Sequence, residues 1–489
     1  MNTFFSHIHE GNIYHYLSGG VWQVSGPGKL LDVISPIDQS VVGRVQAMSK
    51  EEIDRVISNS SVSQKEWKEM EISDRAAILK KAAQLLRDHC EEVALMQVLE
   101  VGKLVSGSRK EIMRTADIID YTAGLIDTAN EQTVLEGSEF SQDAAHKTAH
   151  VLREPHGVVL AIGPFNYPVN LLATKIAPAL MMGNSVVVKA SLQGTLSALM
   201  LVEIFNQAGV PAGVISAVTG DSHEIGDYLV SHPDIAMVSF TGSTTTGKRI
   251  AQLAGNKPLQ LEMGGKDAAL VLSDADLDRA AEEIVAGAFS YAGQRCTAIK
   301  RVLAHVDIVE ELTHKIATIT REKYHLVGDP RDEKSQMGPL ISIKQAEYAS
   351  ELLEDATASG AKILVGGEVK LNYMDVFVLS QVTGDMRIAW EEQFAPILPI
   401  ITCESEEQMI ILHNQSQYGL GVSIFTQNIE QAREIAGKLQ AGVIQINAKS
   451  ERYPDHFPFL GVKDSGLGVQ GIAWSMQAVS RVKSVVYNK

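Results

Sequence analysis

The sequence predicts an α/β protein built on parallel sheets, and three observations carry that prediction. From Lys147 onward, short runs rich in valine and isoleucine alternate with helical stretches of about ten or more residues, the pattern of βαβ units. Each run is followed by Gly, Asn, Asp or Pro before the next helix, the punctuation expected where a strand hands over to a helix. The chain's 489 residues, 45% hydrophobic and 21% charged, suffice for two or three domains that each bury a core.

Taken in order, the N-terminal third reads as mainly helical. Ser49 and Glu52 form a capping box ahead of Ile53, Val56 and Ile57, which share one helical face. A second helix is predicted from Ser73 through Leu86 and a third from Glu91 to Val101, with Cys90 inside a helix over 82–93. Strands follow at 158–162, 185–189, 215–218 and 237–240. A second α/β section begins near Glu262, with a strand over 268–272, a helix over 276–290 and strands over 301–305 and 399–403. This alternation continues to about Ile446. The segment His146–Arg153 and the β-prone tail Ser480–Tyr487 belong to neither part, and such strands are expected to pair in an oligomer contact. In parallel sheets, ligands gather at the carboxyl ends of the strands.

Composition narrows the function. The net charge of −16 argues against nucleic acid, and it requires any anionic substrate to be held by a local cluster of arginines. Three cysteines make neither a disulfide framework nor a metal site. The opening residues Met1–Phe5 lack a basic segment leading into an apolar core, so no secretory signal is expected. The apolar run Leu171–Val188 is interrupted by Lys175, Pro178 and Asn184, which argues against a membrane span. The expectation is a cytoplasmic protein with no resident metal.

Chemistry concentrates at Cys296, in Gly293-Gln294-Arg295-Cys296-Thr297-Ala298. It follows an arginine at a predicted loop-to-helix junction, and both features favour the nucleophilic thiolate. Glu262, between apolar neighbours and the pair Gly264-Gly265, is a candidate general base. Asn166, in Pro164-Phe165-Asn166-Tyr167-Pro168, could donate its amide to a developing oxyanion. Two glycine patterns mislead. Gly242–Arg249 resembles a phosphate loop but has Arg249 where a magnesium-binding hydroxyl is needed. Gly466, Gly468 and Gly471 match G-x-G-x-x-G without a βαβ unit, so they mark a tight loop against a ligand or another backbone. Phe240-Thr241-Gly242-Ser243 ends a strand before a helix, a suitable seat for a dinucleotide pyrophosphate.

Pro-Phe-Asn-Tyr-Pro, Phe-Thr-Gly-Ser, Leu-Glu-Met-Gly-Gly-Lys, Gly-Gln-Arg-Cys and Glu-Glu-x-Phe occur in that order over essentially the whole chain. With these motifs the sequence resembles the aldehyde dehydrogenase superfamily. The resemblance implies a Rossmann-like cofactor domain (1–132 and 153–261), an α/β catalytic domain (262–455) and a small β oligomerisation domain (133–152 and 475–489), assembled as a dimer or tetramer. It also implies Cys296 as nucleophile, Glu262 as the base that activates water, and Asn166 with the Cys296 amide as oxyanion hole. Lys189, Ser191, Leu192, Phe240, Thr241, Gly242 and Ser243 would contact the cofactor, and Glu392 and Phe394 would position its ribose and nicotinamide.

Gly-Gln-Arg-Cys-Thr-Ala-Ile-Lys-Arg and Phe-Pro-Phe-Leu-Gly are most similar to the non-phosphorylating glyceraldehyde-3-phosphate dehydrogenases. That subfamily grips the phosphate of its small aldehyde substrate with three arginines and a tyrosine, matched here by Arg114, Arg295, Arg452 and Tyr167. The planar fork of arginine suits phosphate oxygens. Three departures bear on the cofactor: Leu192 stands where the subfamily carries a threonine and NAD-preferring relatives a glutamate, Ala190 replaces a proline, and Gln393 and Ala395 alter Glu-Glu-Pro-Phe-Gly. The expectation is NADP, with NAD use left open. Another acidic aldehyde as substrate, or a catalytically silent scaffold, remain the alternatives.

Overall fold

The computed structural model describes residues 4–26 and 28–488; Met1–Thr3, part of the segment read above for a signal, lie outside the described residues. Six sheets form among the described residues, two of them large. The largest has eight strands, and its centre is five parallel strands in the order Leu259–Glu262, Ile235–Thr241, Val158–Gly163, Ser185–Ala190 and Ile215–Ala217. The central strands are buried on both faces, which is why they read as unbroken apolar runs. Chain order runs outward from Val158–Gly163 to one side and then returns to its other side with Ile235–Thr241. The carboxyl ends of those two adjacent strands therefore flank a topological switch point, where a ligand crevice forms.

A second sheet of seven strands has Arg301–His305 at its centre, with Ala268–Val271, Gly421–Phe425 and Val443–Ile446 on one side and Ile397–Cys403 and Phe377–Ser380 on the other. Those six are parallel, and Lys362–Val365 pairs antiparallel at the edge. The chain enters these strands from Lys266-Asp267, Thr297–Lys300 and Glu392–Phe394. This sheet thus presents its amino ends to the crevice, not the carboxyl ends the general rule suggests.

The tail strand Ser480–Asn488 pairs antiparallel with Lys147–Pro155, which in turn pairs with Gln132–Glu136. Val134, Leu135, Val482, Val486 and Tyr487 on this small sheet are exposed.

Local sequence explains the helices. Ser49 and Glu52 form both halves of the capping box ahead of Lys50–Trp67. Asp276 caps Leu277–Phe289 by accepting from the Asp278 and Arg279 amides. Helices Ile72–Asp88 and Cys90–Val101 abut at His89, so Cys90 opens a helix and does not sit within one over 82–93. The glycines near the C-terminus pack against backbone: a Cβ on Gly466 would lie 2.7 Å from the Leu261 carbonyl, where Gly466-Leu467 pairs with the strand ending in Glu262. No described helix is long and apolar enough to cross a membrane.

Candidate active site

Asn166, Glu262 and Cys296 come together where the carboxyl ends of the first sheet face the amino ends of the second. Asn166 follows strand Val158–Gly163, is buried, and donates its side-chain amide to the Gln294 carbonyl at 3.0 Å, two residues before Cys296. An amide carries two N–H donors and this bond uses one.

Cys296 is half-buried in a turn between the short 3-10 turn Ser290–Gly293 and strand Arg301–His305. No helix begins there, contrary to the junction expected from sequence. Nor does Arg295 serve as the thiolate's partner, because its guanidinium turns away to the Gly287 carbonyl. Burial pushes the Cys296 thiol up to about 11 in the ligand-free protein, and Lys300 is the main influence drawing it back. Lys300, fully buried, donates to the Cys296 carbonyl at 2.5 Å and pairs with Glu392 at 3.1 Å. The segment entering this turn is held in left-handed backbone at Tyr291 (φ 55°), Ala292 (φ 54°) and Gly293 (φ 69°). A side chain at Gly293 would strike the Ala395 carbonyl, 2.6 Å from where its Cβ would lie.

Glu262 is the last residue of its strand and is 5% exposed. Its water has been replaced by two donors: Arg452 reaches both carboxylate oxygens at 3.1 and 3.2 Å, and the Thr241 hydroxyl reaches Oε2 at 3.0 Å. Behind Thr241 stands Lys175, whose Nζ lies 2.7 Å from Thr241 Oγ1. Burial lowers the Lys175 ammonium to about 8, with Glu262 opposing and Arg452 reinforcing the shift. A continuous line of donors and acceptors therefore runs Lys175, Thr241, Glu262, Arg452.

The four candidate anion-binding residues divide. Arg114 forms a two-pronged pair with Asp455 at 2.6 and 2.7 Å and also donates to the Arg452 carbonyl. Tyr167 and Arg114 line one cavity of about 340 Å³, together with Lys103, Lys110, Tyr291 and Tyr324. Lys103 sits 3.5 Å over the Tyr167 ring and pairs with buried Glu111 at 2.5 Å. Arg295 is 8% exposed and its Nε has no partner; its charge acts on Tyr324, in the cavity wall. Arg452 is thus engaged with the carboxylate of Glu262, not standing open as a free cation. A larger cleft of about 560 Å³, walled by Arg75, Arg153, Glu154 and Lys483, lies away from these residues.

At the candidate cofactor crevice, Lys189 is the last residue but one of its strand and is buried, donating to the Ala190 carbonyl at 2.7 Å and the Ser222 hydroxyl at 3.2 Å. Burial lowers its ammonium to about 8, with Asp221 opposing. Ser191 binds back to the Gly163 carbonyl through its amide, and Leu192 packs on the core beneath. Ser243 caps helix Thr244–Leu253, and a Cβ on Gly242 would lie 2.6 Å from the Phe240 ring. A helix start beyond a strand end, a glycine that admits close approach and a buried lysine fit a phosphorylated dinucleotide. Glu392 is held by the Gly265 amide at 3.0 Å, and Phe394, at φ 43°, stands edge-on to Phe165.

The profile of the aldehyde dehydrogenase family matches residues 22–485. The chain belongs to that family. Among curated members it is 43% identical over 475 residues to the NADP-dependent glyceraldehyde-3-phosphate dehydrogenase of Streptococcus equinus, covering 97% of this chain and 98% of that one. The Triticum aestivum protein of the same name is 41% identical over 486 residues, 99% of this chain and 97% of its own. The crystal structure of the Bacillus halodurans C-125 NADP-dependent glyceraldehyde-3-phosphate dehydrogenase, complexed with NADP, superposes with a TM-score of 0.94 at 45% identity. It covers 97% of this chain and 99% of that one.

Within this aldehyde dehydrogenase, sequence reasoning missed Lys175, Lys300, Lys103 and Asp455. Lys175 had a signal, a lone charge inside an otherwise apolar helix, Asn170–Met181. The pairing of Arg452 with Glu262 spans 190 positions and has no local signature.

Proposed function

We propose that this chain oxidises D-glyceraldehyde 3-phosphate to 3-phosphoglycerate with reduction of NADP and without inorganic phosphate. The observation that carries the reading is the cavity lined by Arg114 and Tyr167, with Arg295 acting on Tyr324 in its wall and Arg452 bound to Glu262, in a protein of net charge −16. The names of the relatives support it.

The Cys296 thiolate attacks the aldehyde carbon, and the new oxyanion is met by the Asn166 amide and the Cys296 N–H. A bound NADP would supply a hydride acceptor, and the carbon that gives up its hydride would stay joined to Cys296 as a thioester. Lys189, the amides after Ser243, and Glu392 would hold NADP. Glu262 then takes a proton from water, the hydroxide adds to the thioester carbonyl, and the acid leaves as the thiol reforms. Glu262 starts bound to Arg452, so a phosphate that draws on Arg452 also loosens the base. Substrate recognition and hydrolysis thereby share one guanidinium.

Steady-state kinetics test the reading. The wild type should favour glyceraldehyde 3-phosphate over succinic semialdehyde in kcat/KM by about 100-fold or more, the effect of a site built for one anion and not another. Glu262→Gln should give one equivalent of NADPH per site in a burst and then nearly stop. Equal use of the two aldehydes would overturn the substrate, and normal turnover without a burst would overturn the role of Glu262.

A further inference from the structure

Gln393 lies between Glu392 and Phe394 and is 1% exposed. Its side chain makes three hydrogen bonds, on three different segments. Oε1 accepts from Lys266 Nζ at 2.5 Å, while Nε2 donates to the Lys300 carbonyl and to the Ile397 carbonyl, both at 2.8 Å. The amide orientation is forced by its neighbours. A flip would put an oxygen against two carbonyls.

The partners make this position more than a packing site. Lys266 follows Gly264-Gly265 in the loop that leaves Glu262, and it also donates to the Glu391 carbonyl at 2.6 Å. Lys300 closes the Cys296 turn, and its ammonium bridges the Cys296 carbonyl and Glu392. From the far side, Gln345 donates to the carbonyls of Gln393 at 2.8 Å and Phe394 at 3.4 Å. Phe394 itself stands in left-handed backbone, φ 43°, a conformation an L-residue keeps only when its surroundings impose it.

We propose that Gln393 is a positioning residue, an amide strut that fixes Glu392 and Phe394 against the loops carrying Glu262 and Cys296. The alignment of the nicotinamide with the Cys296 sulfur then depends on this side chain. This rests on the reading that Glu392 and Phe394 hold the cofactor. Glutamine is the residue that meets all three partners. Glutamate would answer Lys266 but oppose two carbonyls, and an apolar residue would orphan Lys266 and both carbonyls.

The test compares wild type, Gln393→Met and Gln345→Met, the latter loosening the same segment from outside the strut. NADP binding is measured calorimetrically without aldehyde, alongside melting temperature, KM for each substrate, and the primary deuterium isotope effect with glyceraldehyde 3-phosphate labelled at C1. In Gln393→Met the NADP Kd should rise about tenfold, the worth of one charge-assisted hydrogen bond. Its kcat should fall about 10- to 100-fold with an enlarged isotope effect, as misplaced hydride transfer becomes limiting. The aldehyde KM should stay within about twofold, and Gln345→Met should move the same quantities in the same direction but less. A folded Gln393→Met with unchanged NADP Kd, kcat and isotope effect would overturn the proposal. If Gln393→Met does not fold, unchanged values in Gln345→Met would do so. Failure of wild type to bind NADP would instead strike the functional reading beneath it.

Discussion

Replacing Arg452 by methionine probes the ion pair that holds Glu262. Arg452 Nη1 lies 3.1 Å from Glu262 Oε1, with the two side chains only 11% and 6% exposed. At an effective dielectric of ~20, unit charges at that distance attract by about 5 kcal/mol. Water entering the vacated space returns part of this, and Thr241 still donates to the carboxylate at 3.0 Å. The expected loss of stability is therefore about 3 kcal/mol, the low end for breaking a buried pair. The assay is urea unfolding followed by tryptophan fluorescence, at one protein concentration for all variants because assembly would shift the midpoint. A double-mutant cycle with Glu262→Gln isolates the pair, since in the double variant neither charge is left buried alone. A coupling of about 2 kcal/mol or more is expected. If the two substitutions add to within about 0.5 kcal/mol, the ion pair does not carry the energy assigned to it here.

Four further outcomes follow from the charges around Cys296 and the cofactor crevice. Iodoacetamide should alkylate Cys296 of the ligand-free protein at a rate rising about tenfold per pH unit from neutrality towards the thiol's value of about 11; a plateau below pH 8 would contradict the buried thiol. Lys300→Met removes the main charge favouring the thiolate, so it should slow alkylation further at every pH below that value. The raised thiol also has a stability sign: the folded chain keeps a proton that the unfolded chain releases above 9, so stability present below pH 9 is lost as pH rises towards 11. Leu192→Glu should weaken NADP binding about 10- to 100-fold and leave NAD within about twofold, because a carboxylate there would face the 2′-phosphate alone. Equal effects on both cofactors in a titration would remove Leu192 from the specificity argument.

Local signals carried much of the architecture. Strand Arg301–His305 has the bounds its apolar run suggests, and the Ser49/Glu52 box starts its helix because both halves of the motif lie within four residues. Asn166, Glu262 and Cys296 were legible because each stands in a short, unusual string of residues. What escaped is what depends on distant partners. Arg452 looks like a free cation until residue 262 is placed beside it, and Lys300 gains its meaning only from Glu392, 92 positions on. The environment of Cys296 was misread for a related reason. The residues after it suit a helix, but the Lys300 amide is drawn to the Asp267 carbonyl and the chain enters a strand instead. The helix Val105–Gly124 also went unseen, having no side-chain cap to announce it.

The left-handed stretch Tyr291-Ala292-Gly293 bears on how firmly Cys296 is aimed. Two residues with side chains, held there against their own preference, cost roughly 1–2 kcal/mol each. The turn bearing Cys296 is thus a sprung element, kept in place by the Tyr291 hydroxyl on the Val101 carbonyl and by the Ala395 backbone packed against Gly293. Anything that slackens either restraint gives the loop a downhill direction in which to move. The sulfur's bearing on its target is therefore among the first properties of this molecule that a distant disturbance would reach.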